Sequence, residues 1–231
     1  SSAASDVYKR QILCRERSGK DLMKIRKNDI FLYGRKMLFQ MLEILYPRRC
    51  AVCDEIEVTG KGICPLCKDK VHVAGEPACK KCGKPLVDER KEFCTDCGKK
   101  HHVYTQGKAV FVYEGGIRNS MYRFKYGNKR EYAEFYANAA VEKYGVWLNK
   151  IKAEVLIPIP MYSRKKRLRG YNQAEVFARE LGRKAGILVD EHLVRRVRNT
   201  IPQKELNESQ RHRNLKLSLI HISEPTRRVV I

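Results

Sequence analysis

Apolar and polar positions fall into readable periods mainly beyond residue 106. GKAVFVYEGG (107–116) is a short apolar run closed by two glycines, which predicts a strand and a turn. IRNSMYRFKY (117–126) places Ile117, Met121 and Phe124 on one helical face, with Tyr122 at its margin. Residues 130–148 predict a longer helix, with Tyr132, Phe135, Tyr136, Ala139, Val141 and Trp147 able to face a core. AEVLIPIP (153–160) reads as an apolar strand stopped by Pro158 and Pro160. A basic loop, MYSRKKRLRGYNQ, leads into a further predicted helix, AEVFARELGRKAG (174–186). Strand, loop and helix in that order argue for an α/β fold with a parallel sheet.

The stretch before residue 103 has little such periodicity, and its pattern is one of cysteines. Cys50-x-x-Cys53, ten residues, and Cys64-x-x-Cys67 make one set. Eleven residues later, Cys79-x-x-Cys82, eleven more, and Cys94-x-x-Cys97 make a second. Two intervening residues let a tight turn aim both sulfurs at one ion, and four thiolates complete the tetrahedron that zinc accepts. Two structural Zn²⁺ ions are expected, because all-cysteine coordination leaves no position for water. Pairing in chain order gives two ribbons, alternate pairing gives a cross-braced site, and the repeat-like halves favour the first. A segment of about 50 residues with few large apolar side chains cannot hold itself together by burial alone. His72, His101 and His102 lie nearby, but the cysteines already fill both sets. Cys14 stands alone and carries no assigned role.

Composition narrows the picture. Among 231 residues, 43% are hydrophobic and 32% charged, values that argue against wholesale disorder. No apolar stretch reaches the roughly 18 residues of a membrane helix, and a secretory signal is not evident at the start. Cytoplasmic location is the expectation, and Cys-x-x-Cys pairs there read as metal ligands in place of disulfides. The net charge of +22, from 48 Lys+Arg against 26 Asp+Glu, favours a polyanionic partner, either nucleic acid or a phosphorylated small molecule. Arg164, Lys165, Lys166, Arg167 and Arg169 concentrate that charge beyond Pro160, where loops of α/β sheets hold ligands. With Gly170 and the amides opening the next helix they suit a phosphate or pyrophosphate.

Several separated motifs carry a family resemblance: YPRRCAVC, RFKYGNKREYA, IPIP with RLRGYNQAEVFARELG, and Gln203 with RHRNLK. Together they resemble the ComF family of competence-associated phosphoribosyltransferase-like proteins, over about residues 37–217 in family order. The resemblance implies a small double zinc ribbon, with four cysteines at each site, followed by an α/β type I phosphoribosyltransferase-like domain. It also implies a link to DNA uptake, with single-stranded DNA and uptake proteins as partners. Carried over by position, Arg169, Gly170, Tyr171, Asn172 and Gln173 would face pyrophosphate, and Lys125 matches the lysine after the first helix. Gln203, Arg211 and Asn214 fall in the segment that resembles a mobile loop over the site.

The chain departs from the family in one respect. Nothing in it matches the two adjacent acidic residues and Thr-Thr-Gly turn that would bind phosphoribosyl diphosphate and its Mg²⁺. The domain is therefore expected to be incomplete, with Mg²⁺ and that ligand bound only in the full-length parent, and this chain silent as a transferase. The expected division is a leader at 1–36, double ribbon with a short preceding helix at 37–102, transferase-like part at 103–217, and tail at 218–231. SSAASDVYKRQ and LSLIHISEPTRRVVI resemble translated sequencing-adapter sequence, so both ends are expected to be non-native. The rival reading is a zinc-ribbon protein that binds single-stranded DNA without transferase activity, with Tyr104, Phe111 and Tyr113 stacking on bases.

Overall fold

The computed structural model describes residues 37, 41, 45–100, 102–201, 205–216, 219–221 and 229–230. The chain divides into two units, Ser1–Pro47 and Arg48–Ile231. The expected leader at 1–36 lies outside the described residues. Within the first unit Met37, Met41 and Leu45 are helical and exposed.

The second unit opens with two knuckle-and-turn repeats. In each, a Cys-x-x-Cys turn is closed by one antiparallel bridge, Arg49 with Ile56 and then Ala78 with Pro85. Each second cysteine pair sits at a short helical turn, α1 (Pro65–Lys68) and α2 (Thr95–Lys99). Two longer helices follow, α3 (Gly115–Tyr126) and α4 (Tyr132–Lys150). After them come β1 (Val155–Leu156), α5 (Ser163–Arg169), α6 (Gln173–Ala185), β2 (Leu188–Val189) and β3 (Val194–Arg196). The described chain closes with α7 (Glu208–Lys216), β4 (Leu219–His221) and β5 (Val229–Val230).

The result is a helical region on a small parallel sheet. β1 lies between β2 and β5, with Val155 opposite Leu188 on one side and Val229 on the other. β3 and β4 form a separate antiparallel pair. Strand residues 219–221 and 229–230 belong to the expected tail, so part of that segment is paired within the unit. β1 is only two residues long because Pro158 and Pro160 have no N–H to offer a ladder.

Two apolar clusters divide α4 between them. Its first half supplies Tyr132, Ala133, Phe135 and Tyr136 to a core shared with Ala51, Ile117, Phe124 and Tyr171. Phe135 stacks on Phe111 at 5.4 Å and meets Tyr136 edge-on at 5.3 Å, the preferred arrangements of aromatic pairs. Ala137, Ala140 and Leu148, from Ala137 onward along the helix, join a core with Leu156 and Leu181. Ser120, whose polarity hides it from a periodicity count, is fully buried because its hydroxyl is 2.6 Å from that of Tyr136.

Two expectations need correction. The 107–116 run is no strand; Phe111 makes a single antiparallel bridge to Val73, flanked by Ala74 N–H to Val110 O and Val112 N–H to His72 O. It pairs with the segment after the first ribbon, and its apolar residues feed the helical cores. The basic stretch after Pro160 is not a loop either. Residues 163–169 are mostly good helix formers with no β-branched member, and cations in the last turn suit a helix C-terminus. Gly170 ends α5 at a φ of 83°, a left-handed conformation that glycine adopts without strain.

Candidate functional site

The eight cysteines gather in chain order. Cys50, Cys53, Cys64 and Cys67 form one group and Cys79, Cys82, Cys94 and Cys97 the other, with the sulfurs of each group within 4.8 Å of one another. Cys53 and Cys64 sulfurs are 3.8 Å apart, and so are those of Cys82 and Cys94. A tetrahedron with Zn–S bonds of about 2.3 Å has edges of about 3.8 Å, so both sets fit zinc. Amides help to prepare the site: Val52 and Cys64 N–H each point at the Cys50 sulfur at 3.4 Å.

Electrostatics divide the thiols. Burial pushes Cys50 up, but N–H donors from Cys64, Cys53 and Val52 outweigh it and bring the thiol down to about 7. Cys79 is likewise pushed up by burial and brought down, to about 6, by the Cys94, Cys82 and Lys81 amides. Cys67 is pushed up to about 12, by burial first and then by the sulfurs of Cys64 and Cys53. Such close thiols resist full ionisation on their own, and a dication removes that resistance. Four thiolates also fill its coordination shell, the mark of a structural zinc site. His72 is instead 4.0 Å from Glu114, and His102 stacks on Tyr104. His101 lies outside the described residues.

The residues carried over for a phosphate ligand are partly assembled. Arg169 stacks its guanidinium on Tyr126, 4.7 Å from the ring centre, so the end of α3 bearing Lys125 meets the end of α5. Arg169 also donates to Gln173 Oε1 at 2.7 Å. Gly170 O accepts from Arg130 at 3.1 Å. The side chains of Tyr171 and Asn172 turn inward: Tyr171 donates to Phe124 O, and Asn172 is 1% exposed. Asn172 caps α6 by accepting from Ala174 N–H at 3.1 Å, and donates to Ile159 O at 3.0 Å. Arg211 and Asn214 are on α7, and Asn214 donates to Ile201 O at 2.9 Å. Gln203 lies outside the described residues.

Beside this turn a cavity of about 410 Å³ opens at the carboxyl end of β1, between Pro158–Met161, Phe177 and Arg196. Arg196 donates from one terminal nitrogen to the Thr200 hydroxyl, while its buried Nε has no partner. Lys166 pairs with Glu175 at 2.5 Å, and Asn172 donates to the other Glu175 oxygen at 3.2 Å. Neither Arg196 nor Glu175 was singled out by the sequence, because lone charges on β3 and α6 carry no spacing signal.

Among the described residues no helix is long and apolar enough to cross a membrane. No solved structure matches the chain. Competence protein F of Haemophilus influenzae is 35% identical over 82 residues, which are 34% of this chain and 36% of that protein. The chain thus matches about a third of that relative's length. Residues 41–98 match the double zinc ribbon domain. The ribbon match and the identity to Competence protein F together support assignment of the chain to the ComF family.

Proposed function

We propose that the chain is a cytoplasmic, zinc-stabilised protein of DNA uptake whose helical domain holds a phosphorylated sugar at the Arg169–Gln173 turn. The observation that carries this reading is the conjunction of that basic, glycine-ended turn with the cavity at the end of β1. A buried Arg196 Nε without an acceptor there is the kind of group a ligand oxygen satisfies. Phosphoribosyl diphosphate with Mg²⁺ is the ligand in a chain that also carries the acidic loop. Lacking it, this chain binds the diphosphate part and turns nothing over. Titration calorimetry with inorganic pyrophosphate tests this: wild type binds and Arg169→Ala weakens binding about tenfold, the loss of one charged hydrogen bond of about 1.5 kcal/mol. Equal heats from the two proteins would refute the assignment.

A second reading, single-stranded DNA binding without transferase chemistry, keeps Tyr104 and Tyr113 of the expected aromatics, which are 42% and 63% exposed. Phe111, in contrast, is half-buried and stacks on Phe135, so it serves the core. Tyr122 and Tyr126 add a second exposed pair, 65% and 61% exposed, with ring centres 5.1 Å apart and Arg169 beside them. Oligonucleotide affinity that falls steeply with salt, and falls further in Tyr126→Ala, would favour this reading.

A further inference from the structure

Asp54 follows the first cysteine pair and has a φ of 70°. The matching position after the third pair is Gly83, at 75°. The two knuckles are otherwise alike. Asp54 N–H bonds Cys50 O as Gly83 N–H bonds Cys79 O, both at 2.9 Å, and Cys50 and Cys79 N–H bond Glu55 and Lys84 O, both at 2.8 Å. The left-handed conformation costs a side-chain-bearing residue energy that glycine avoids, so an aspartate held in it raises the question of what its side chain does.

Here the carboxylate reaches the start of α4. Its Oδ1 accepts from the Tyr132 hydroxyl at 2.6 Å and stands 2.8 Å from Lys129 Nζ. The residue after Lys129 is Arg130, whose guanidinium donates to Gly170 O at 3.1 Å and lies 5.0 Å above the Tyr171 ring. Tyr171 completes the corner by donating to Phe124 O. A short run of direct contacts therefore leads from the first zinc knuckle to the turn between α5 and α6.

We infer that Asp54 is a positioning residue, through which the first zinc knuckle fixes the Lys129–Tyr132 corner and so the shape of the Gly170–Tyr171 turn. The second ribbon has no equivalent, since a Cβ at Gly83 would stand 2.7 Å from Ala109 N. The identity of the turn's ligand rests on the proposed phosphate reading, whereas the positioning rests on the contacts alone.

Asp54→Gly tests it, because glycine keeps the left-handed backbone without strain and removes the side chain that bears the carboxylate. Zinc content by mass spectrometry is expected to stay at two ions per chain. Amide exchange at Gly170, whose N–H bonds Lys166 O at 2.8 Å, is expected to rise about tenfold as the turn loosens. Asp54→Asn, which keeps an acceptor for Tyr132 but not the charge facing Lys129, should give a smaller rise. Unchanged Gly170 exchange in both variants overturns the inference, as does a rise seen only where the first zinc ion is lost. Pyrophosphate titrations of the same proteins separate the two ideas. Failure of wild type to bind sinks the phosphate reading, while the exchange result still judges the positioning.

Discussion

The two zinc ribbons share one backbone plan and differ in what they hold. Ribbon 1 is built into the helical domain: Ala51 is 1% exposed in the core with Phe124, Phe135 and Tyr136, and Arg123 donates to Val52 O at 2.8 Å. Ribbon 2 carries Lys80 and Lys81 where ribbon 1 has Ala51 and Val52, and it reaches α4 through residues 106–109. Gln106 bridges Lys80 O and the Trp147 indole, each at 3.0 Å, and Tyr144 donates to Ala109 O at 2.7 Å. The same metal chemistry thus serves two purposes. One ion organises a knuckle that forms part of the helical core, and the other organises a knuckle tethered by a polar strap.

The largest test of that difference removes one ion at a time. Structural zinc contributes on the order of 10–16 kcal/mol, as much as or more than the roughly 5–15 kcal/mol that typically holds a domain folded. Cys67→Ser should therefore lose one zinc and also the amide protection of α3 and of the first half of α4. Cys97→Ser should lose one zinc and leave those helices protected. Equal loss of helix protection in the two variants would erase the distinction. Next in size is Phe135→Ala, which empties the ring that backs ribbon 1. Chemical denaturation should show a loss of about 3–5 kcal/mol, while Trp147→Ala, at the half-buried strap, should lose less.

Much of this contrast is legible in the sequence. Cysteine spacing locates both metal sets, because ligand geometry is local and a tight turn dictates it. Helical periodicity locates α3, α4 and α6 to within a few residues, because each buries one face. The residues between the first cysteines, Ala-Val against Lys-Lys, also announce which ribbon is docked, but only to a reader asking what the knuckles face. What spacing does not reveal is long-range. The 107–116 run has the composition of a strand, yet its partner, Val73, lies in the ribbon region and offers one bridge. The stretch after Pro160 reads as a loop because its dense charge masks its helix propensity. The inward turn of Tyr171 and Asn172 depends on Phe124 and Ile159, 47 and 13 residues away.

Backbone fit supplies a subtler test. Gly83 combines its left-handed φ with direct contact to residues 107–109. Gly83→Ala should cost about 3 kcal/mol, from the strained conformation and from forcing that strap away. The expected readout is faster exchange in residues 77–109 with α3 unaffected. Loss of α3 protection in that variant would mean ribbon 2 is coupled to the core after all.

The smallest effect comes from the loop inside each ribbon. Glu57 N–H bonds Arg48 O as Leu86 N–H bonds Pro77 O, both at 2.8 Å, so the same backbone position carries a carboxylate in one ribbon and leucine in the other. Glu57 is 4% exposed and accepts from Thr59 N–H at 2.5 Å and Gly62 N–H at 3.1 Å. Burial pushes its carboxyl up, but the Thr59 hydroxyl and the Gly62, Thr59 and Gly60 amides outweigh that and hold it below the ordinary range. A depressed carboxyl stabilises fully above its unfolded value of about 4.3, and that contribution disappears as pH falls through the lower folded value. Glu57→Gln should cost about 1–2 kcal/mol at neutral pH, by exposing unmet N–H groups to a weaker acceptor. Acid also protonates zinc thiolates in both ribbons, so the informative quantity is the difference between wild type and Glu57→Gln. That difference, read as exchange at Thr59 and Gly62, should be constant near neutrality and shrink below about pH 4, while Leu86 shows none. A gap that persists unchanged into strong acid would mean the carboxylate is not what holds the ribbon 1 loop.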